Sequence, residues 1–161
     1  MAKQFQTVQQ RPNDPYIYLF VMGEWYCYNP MEAPLGSGAM GDVYRGYRCI
    51  NGSPIAVKRV KDAYANNPMI RERARLEASL AFRHPNLVEM IGCCEYSPTE
   101  GPIFILSHFV EGENIETYVK NFENSPNRVE RVCNAICSVL EALDYVHSRG
   151  VIHRDVKPSN I

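Results

Sequence analysis

Two blocks of different character predict an α+β chain. Residues 16–110 hold short β-branched and aromatic runs set off by turn residues, with one helical stretch inserted. Residues 111–161 instead space their apolar side chains by threes and fours. The order, strands with one helix and then helices, suggests two packed units joined near 107–114.

The elements follow in order. Residues 1–15 are polar and read as a loose leader. The run 16-YIYLFVM-22 is too short to span a membrane. No basic cluster precedes it, and Gly23-Glu24 follow it, so it reads as a strand rather than a targeting signal. Residues 42–49 alternate, with Val43, Arg45 and Tyr47 on one side. Asn51-Gly52 then supplies a tight turn, and 54–60 forms the return strand of a hairpin. A helix is expected from Asn67-Pro68 to about Phe82, and strands over 87–94 and 103–110. A short helix after Asn114 would carry Ile115, Tyr118, Val119 and Phe122. Ser125 and Pro126 suit the start of a longer helix. Its apolar face runs through Val129, Val132, Cys133, Ile136, Leu140, Leu143 and Val146, and Gly150 is placed to end it.

Composition excludes several classes. The chain has 161 residues, 45% apolar and 22% charged, with a formal net charge of −1. That balance argues against a nucleic-acid binder, which is normally basic. The six cysteines form no C-x-x-C pair, so zinc and thioredoxin patterns are absent. Cys133 and Cys137, one helical turn apart, are expected in a core. Scattered free thiols suggest a reducing compartment, and hence a cytoplasmic location.

Three motifs carry chemistry. The stretch 35-LGSGAMGDVY-44 places Gly36, Gly38 and Gly41 where backbone N–H groups can approach phosphate oxygens. A dinucleotide-binding turn would need a helix after the third glycine, with an acid about twenty residues on. Asp62 meets the spacing, but the hairpin through Asn51-Gly52 leaves no room for a crossover helix. A plain glycine turn is the bland alternative. Lys58 lies on the next strand, on one face with Ala56 and Val60. A lone strand lysine is usually solvated. Beneath a glycine hairpin it can hold phosphate oxygens, and small Ala56 leaves room for a flat ring. Finally, 153-HRDVKPSN-160 fixes six positions, with a chance expectation of roughly two in a million.

Together GSGAMGDVY (36–44), AVK (56–58), HPNLV (84–88) and HRDVKPSNI (153–161), in that order, resemble a eukaryotic-type protein kinase domain of the serine/threonine kind. The resemblance runs from about residue 35 to Ile161 and covers the first part of the family's domain. It implies a five-stranded antiparallel N-lobe with one helix, followed by the first helices of a helical C-lobe. Residues 1–34 would be a leader with an extra strand, 35–110 the N-lobe and hinge, and 111–161 a partial C-lobe ending in the catalytic loop.

The resemblance also implies roles. ATP and Mg2+ would be the cofactors, and a protein with a serine or threonine hydroxyl the substrate. Asp155 would be the base, Lys157 would neutralise the transferring phosphoryl group, and Asn160 would hold magnesium through its amide oxygen. Lys58 would hold phosphate oxygens and pair with a helix glutamate. The family's usual spacing of nine residues before the HPN histidine falls on Arg75. Glu77, seven before His84, is favoured over Glu72, twelve before, because EASLAF resembles the family's wording. Leu35, Gly36, Ser37, Gly38, Gly41, Val43 and Ala56 would line the nucleotide site. Ser107 would be a small gatekeeper, with His108 and Val110 reading the adenine edge. His153 would pack the loop, and Arg154 would meet a phosphorylated activation loop. Arg71, Arg73 and Arg75 read as a solvated face, with contact to a phosphorylated loop as the alternative.

The family's second magnesium ligand, the aspartate of a D-F-G segment, is absent from the 161 residues. The expectation is therefore an incomplete kinase without appreciable activity of its own, its long helix awaiting a covering partner. The alternative is a naturally short kinase-like module that binds nucleotide or a partner without catalysis. No membrane segment is expected in this portion.

Overall fold

The structure is a computed structural model that describes residues 7–121 and 123–161. The chain divides into two compact units, Met1–Ala81 with Glu89–Phe109, and Phe82–Val88 with Val110–Ile161.

The first unit is built on one antiparallel sheet. Its strands are β1 (Val8–Gln10), β2 (Ile17–Val21), β3 (Glu24–Tyr28), β4 (Gly36–Ser37), β5 (Gly41–Arg48), β6 (Pro54–Val60), β7 (Met90–Glu95) and β8 (Ile103–His108). They lie in the order β1-β2-β3-β5-β6-β8-β7, with β4 laid on β5. Five of these, β4 to β8, answer to the five-strand expectation, and residues 8–28 add three more. The supposed leader is therefore structured from Val8 onward. A tight turn joins β2 to β3 with both central residues at positive φ, Met22 at 50° and Gly23 at 86°, a strained choice for a side chain as large as methionine. Only the glycine advertises such a turn, which is why the hairpin is hard to see in the sequence.

The two faces of the sheet bury separate cores. On one, Leu19, Val21, Tyr26 and Tyr28 of the N-terminal strands meet Ile55, Val57, Cys94, Phe104 and Leu106. The sheet curls until its two ends approach: Thr7 Oγ1 donates to Glu95 O at 2.6 Å, and Cys94 Sγ donates to Thr7 O at 3.1 Å. On the other face Val60, Ile103 and Ile105 pack against Ala74 of α2 (Pro68–Ser79), with Ile70 and Ala78 partly buried beside it. Asn67 caps α2 through its side chain, accepting from Met69 N at 3.0 Å. A single turn of helix, α1 (Asp62–Ala65), precedes it. Burial pushes the thiols of Cys93 and Cys94 up to about 12 and about 11, so both remain protonated and inert.

The second unit holds α3 (Ile115–Asn121), α4 (Arg128–His147) and a 3-10 turn at Pro158–Asn160. Phe122, expected on α3, lies outside the described residues. Asn127 rather than Ser125 or Pro126 stands at the start of α4. Gly150, at φ 77°, ends it, with its N–H bonded to His147 O at 2.9 Å. The segment 82–88 lies on α4: Phe82 meets the Tyr145 ring edge-on at 6.0 Å, and Asn86 Nδ2 donates to Ser138 O at 3.1 Å.

Only Ala142 and Val146 of α4 are buried. Val129, Ile136 and Leu140 are exposed, and so are Cys133 and Cys137, contrary to the core expected for the two cysteines. Their spacing does define one face, but these five side chains on it are exposed. Among the described residues, no helix is long and apolar enough to cross a membrane.

Candidate functional site

The residues singled out by sequence fall into two groups, one in each unit. In the first, β4 and β5 form the glycine hairpin. Leu35 N donates to Val43 O at 2.7 Å and Gly38 N to Gly41 O at 2.9 Å, which closes the loop on itself. Leu35, Gly36, Ser37 and Gly38 are exposed, whereas Gly41 is buried. A Cβ at Gly41 would stand 2.6 Å from Arg59 O, because Gly41 pairs with Val60 on β6. The third glycine is thus required by the close approach of two strands. Lys61, which sequence reasoning passed over, steadies the loop: its Nζ donates to Gly38 O at 2.8 Å and lies 3.9 Å from Asp42. No motif points to that lysine, since its partners come from the far side of the hairpin.

Lys58 lies on the α2 side of β6, as alternation requires. Its Nζ donates to Glu77 Oε1 at 2.8 Å and Oε2 at 3.1 Å. Glu72 is exposed, and Arg75, at the family's usual spacing, turns away to Glu95. The two partners are 35% and 40% exposed, so the pair is open to a ligand yet anchored from below. Ala56 pairs directly with Ser107 on β8, which sets two small side chains next to each other. Beyond Ser107, His108 N donates to Glu89 O at 2.9 Å. The Arg45 guanidinium covers the Phe109 ring at 4.7 Å.

The arginines of α2 do not form one solvated face. Arg73 is exposed, but Arg71 is 2% exposed and bonded on every side, and Arg75 binds Glu95 and Pro98 O. Apart from Ala65 O, six residues before Arg71, their acceptors lie twenty or more residues away in sequence, so a local pattern does not show it.

In the second unit, Val110 is exposed and the loop 153–160 is held by its own polar groups. Asp155 N donates to His153 Nδ1 at 3.3 Å, so His153 serves the loop as an acceptor while remaining exposed rather than packed. Arg154 sits at φ 63°, a strained conformation for a non-glycine residue. Lys157 Nζ lies 3.1 Å from Asp155 Oδ2. Asn160 Nδ2 donates to Asp155 O at 2.9 Å and to Oδ2 at 3.0 Å. The Lys157 ammonium, and after it the Asn160 amide, hold the Asp155 carboxyl below its ordinary value, so it is ionised at neutral pH. With the Asn160 amide nitrogen turned to Asp155, its oxygen is the atom left for a hard cation. An amide oxygen is a donor that magnesium accepts, so Asn160 fits that ion as one ligand.

The comparisons with known proteins agree on one family. A family model described as the protein kinase domain matches residues 30–161. The serine/threonine-protein kinase PknH of Mycobacterium bovis is 35% identical over 129 residues, covering 79% of this chain and 21% of that protein. PknD of Chlamydia felis is 30% identical over 141 residues, covering 79% of this chain and 14% of that one. Among solved structures, the Mycobacterium tuberculosis PknI kinase domain superposes with a TM-score of 0.65 at 28% identity, covering 84% of this chain and 52% of that domain. The chain thus spans about a fifth or less of the curated relatives it matches, and about half of the solved kinase domain. On the family model, the kinase relatives and the shared fold, the chain belongs to the protein kinase family.

Proposed function

We propose that the chain supplies the nucleotide-holding and base-bearing parts of a serine/threonine protein kinase, which transfers the γ-phosphoryl group of ATP to a protein hydroxyl. The observation that carries this is the cluster of Asp155, Lys157 and Asn160 within hydrogen-bonding reach of one another. Asp155, kept ionised by its neighbours, accepts the proton of the serine or threonine hydroxyl as the oxygen–phosphorus bond forms and the bond to the β-phosphate breaks. Lys157, next to that carboxylate, meets the charge of the transferring group. Asn160 offers its amide oxygen to magnesium, which when bound neutralises phosphate charge. In the other unit, Lys58, held by Glu77, takes phosphate oxygens. The glycine hairpin from Leu35 to Val43 covers the phosphates, and Ala56, Ser107 and His108 take the adenine. The small Ala56–Ser107 pair leaves space behind the ring. Arg154 is left for a phosphorylated loop.

Calorimetric titration of the chain with MgATP tests the nucleotide reading. Saturable binding is expected, weakened at least roughly tenfold by Lys58→Met. Absence of binding, or binding indifferent to that substitution, would contradict it. On this reading the 161 residues alone, which hold Asn160 but no D-F-G aspartate, transfer no appreciable phosphate. Robust radiolabel transfer by them, abolished by Asp155→Asn, would overturn that expectation.

A further inference from the structure

Among the described residues Arg71 alone is both buried and charged, and the mechanism above makes no use of it. It lies in the first half of α2, six positions before Glu77, about 9 Å along the helix axis. A guanidinium has five N–H groups, and all five are donated. Nε bonds Pro98 O at 3.2 Å; Nη1 bonds Ala65 O at 2.6 Å and Gly101 O at 3.1 Å; Nη2 bonds Ser97 O and, at 3.2 Å, Glu95 Oε1. The acceptors come from the end of α1, the end of β7 and the turn between β7 and β8. One side chain therefore ties α2 to three other pieces of the unit.

The rest of α2 holds the sheet weakly. Its fully buried apolar contribution is Ala74, with Ile70 and Ala78 only partly covered, while Met69 and Leu76 are exposed. A stripe of small side chains allows a helix to slide or turn with little loss of buried area. Yet Glu77 must be placed to within a hydrogen bond of Lys58. A turn of one residue swings a helical side chain by about 100°, which would carry Glu77 out of reach. The fixed fork of an arginine, with every donor taken, resists both movements; a lysine, a point charge on a flexible stem, does not.

We propose that Arg71 is the positioning residue that sets the register of α2, so that Glu77 meets Lys58. Its importance for phosphoryl transfer rests on the functional reading above; the clamp itself does not. The Arg75–Glu95 pair supports the same turn from one helical turn further on, with Nη2 to Oε2 at 3.0 Å.

Carbodiimide cross-linking of the whole chain reads the pair directly. The reagent joins a carboxylate to a neighbouring amine with loss of water, and peptide mass spectrometry quantifies the Lys58–Glu77 product. The exposed Lys120–Glu116 pair on α3, at 3.0 Å, serves as internal standard. Arg71→Met keeps the bulk of the side chain and removes the donors, and Arg71→Lys keeps the charge and removes the fork. Both are expected to lower the Lys58–Glu77 yield roughly fivefold or more relative to the standard, at a temperature where circular dichroism shows the chain folded. A purely structural arginine would lower the melting temperature and leave the yield of the folded chain unchanged, and that result overturns the proposal. If Arg71→Met does not fold, Arg71→Lys and Glu95→Gln decide by the same criterion. MgATP affinity, measured in parallel, separates the two claims: a yield that falls in variants of a chain that never binds nucleotide sinks the functional reading and leaves the clamp standing.

Discussion

The Lys58–Glu77 pair and the 153–160 loop are both polar sites, but they are held in different ways. The pair stands on a sheet strand and a helix, over a core of Val60, Ile103 and Ile105, with Arg71 locking the helix from behind. The loop rests on hydrogen bonds among its own exposed residues, and the long helix before it buries only Ala142 and Val146. A site on packed elements inherits its geometry from the core, whereas a loop site must supply its own. The first unit should therefore fail through its core, and the second through single polar bonds.

That contrast can be broken from either side. The largest effect is expected from Phe104→Ala, which empties a fully buried position beside Tyr28 and should cost about 3–5 kcal/mol. Denaturant unfolding will show it, while Val129→Ala on the exposed face of α4 should change stability by less than about 0.5 kcal/mol. Equal effects would erase the distinction. Gly41→Ala comes next: forcing a methyl group to within 2.6 Å of Arg59 O should cost about 1–3 kcal/mol and loosen the glycine hairpin, seen as faster amide exchange at Gly38.

Tyr28→Phe is expected to be neutral, or to stabilise by up to about 1 kcal/mol. The Tyr28 hydroxyl is buried without a hydrogen-bond partner among the described residues, and burial pushes its pKa up to about 12. A marked loss of melting temperature would mean that the hydroxyl is satisfied after all. The smallest effect belongs to the loop. Lys157→Ala should raise the Asp155 carboxyl toward its ordinary 3.8, read by carbon NMR during an acid titration. Because the folded value is depressed, Asp155 favours the folded loop above its ordinary pKa, and that contribution fades as pH falls through the depressed value. The variant should flatten this acid limb, and an unmoved titration would show that Lys157 does not govern the carboxylate.

What could be read from the sequence was whatever is local. The Asn51-Gly52 hairpin, the start of α2 at Asn67-Pro68 and the 153–160 run each lie within a dozen residues; the structure forms the hairpin and the helix start, and ties the run together by its own hydrogen bonds. The preference for Glu77 rested on neighbouring residues rather than on spacing, and that glutamate is the one bonded to Lys58. What escaped depended on distant partners. Arg71 looks like Arg73 until carbonyls from residues 97, 98 and 101 are brought around it. Cys133 and Cys137 define a helical face, but periodicity does not say what covers a face. Strands β1 and β3 were hidden by short length and by a turn that uses methionine at positive φ.

The near-closure of the sheet by Thr7 and Glu95 bears on where this domain begins. The family match opens at residue 30, yet Leu19, Val21, Tyr26 and Tyr28 stand before it and fill the same core as Ile55, Val57 and Phe104. Shared ancestry and physical integrity therefore set different boundaries. A protein trimmed to the inherited portion would uncover the apolar face of β6 and β8, turning a folding unit into an aggregation surface. In this chain, the segment outside the family's limits is as much a part of the domain as the glycine hairpin within them.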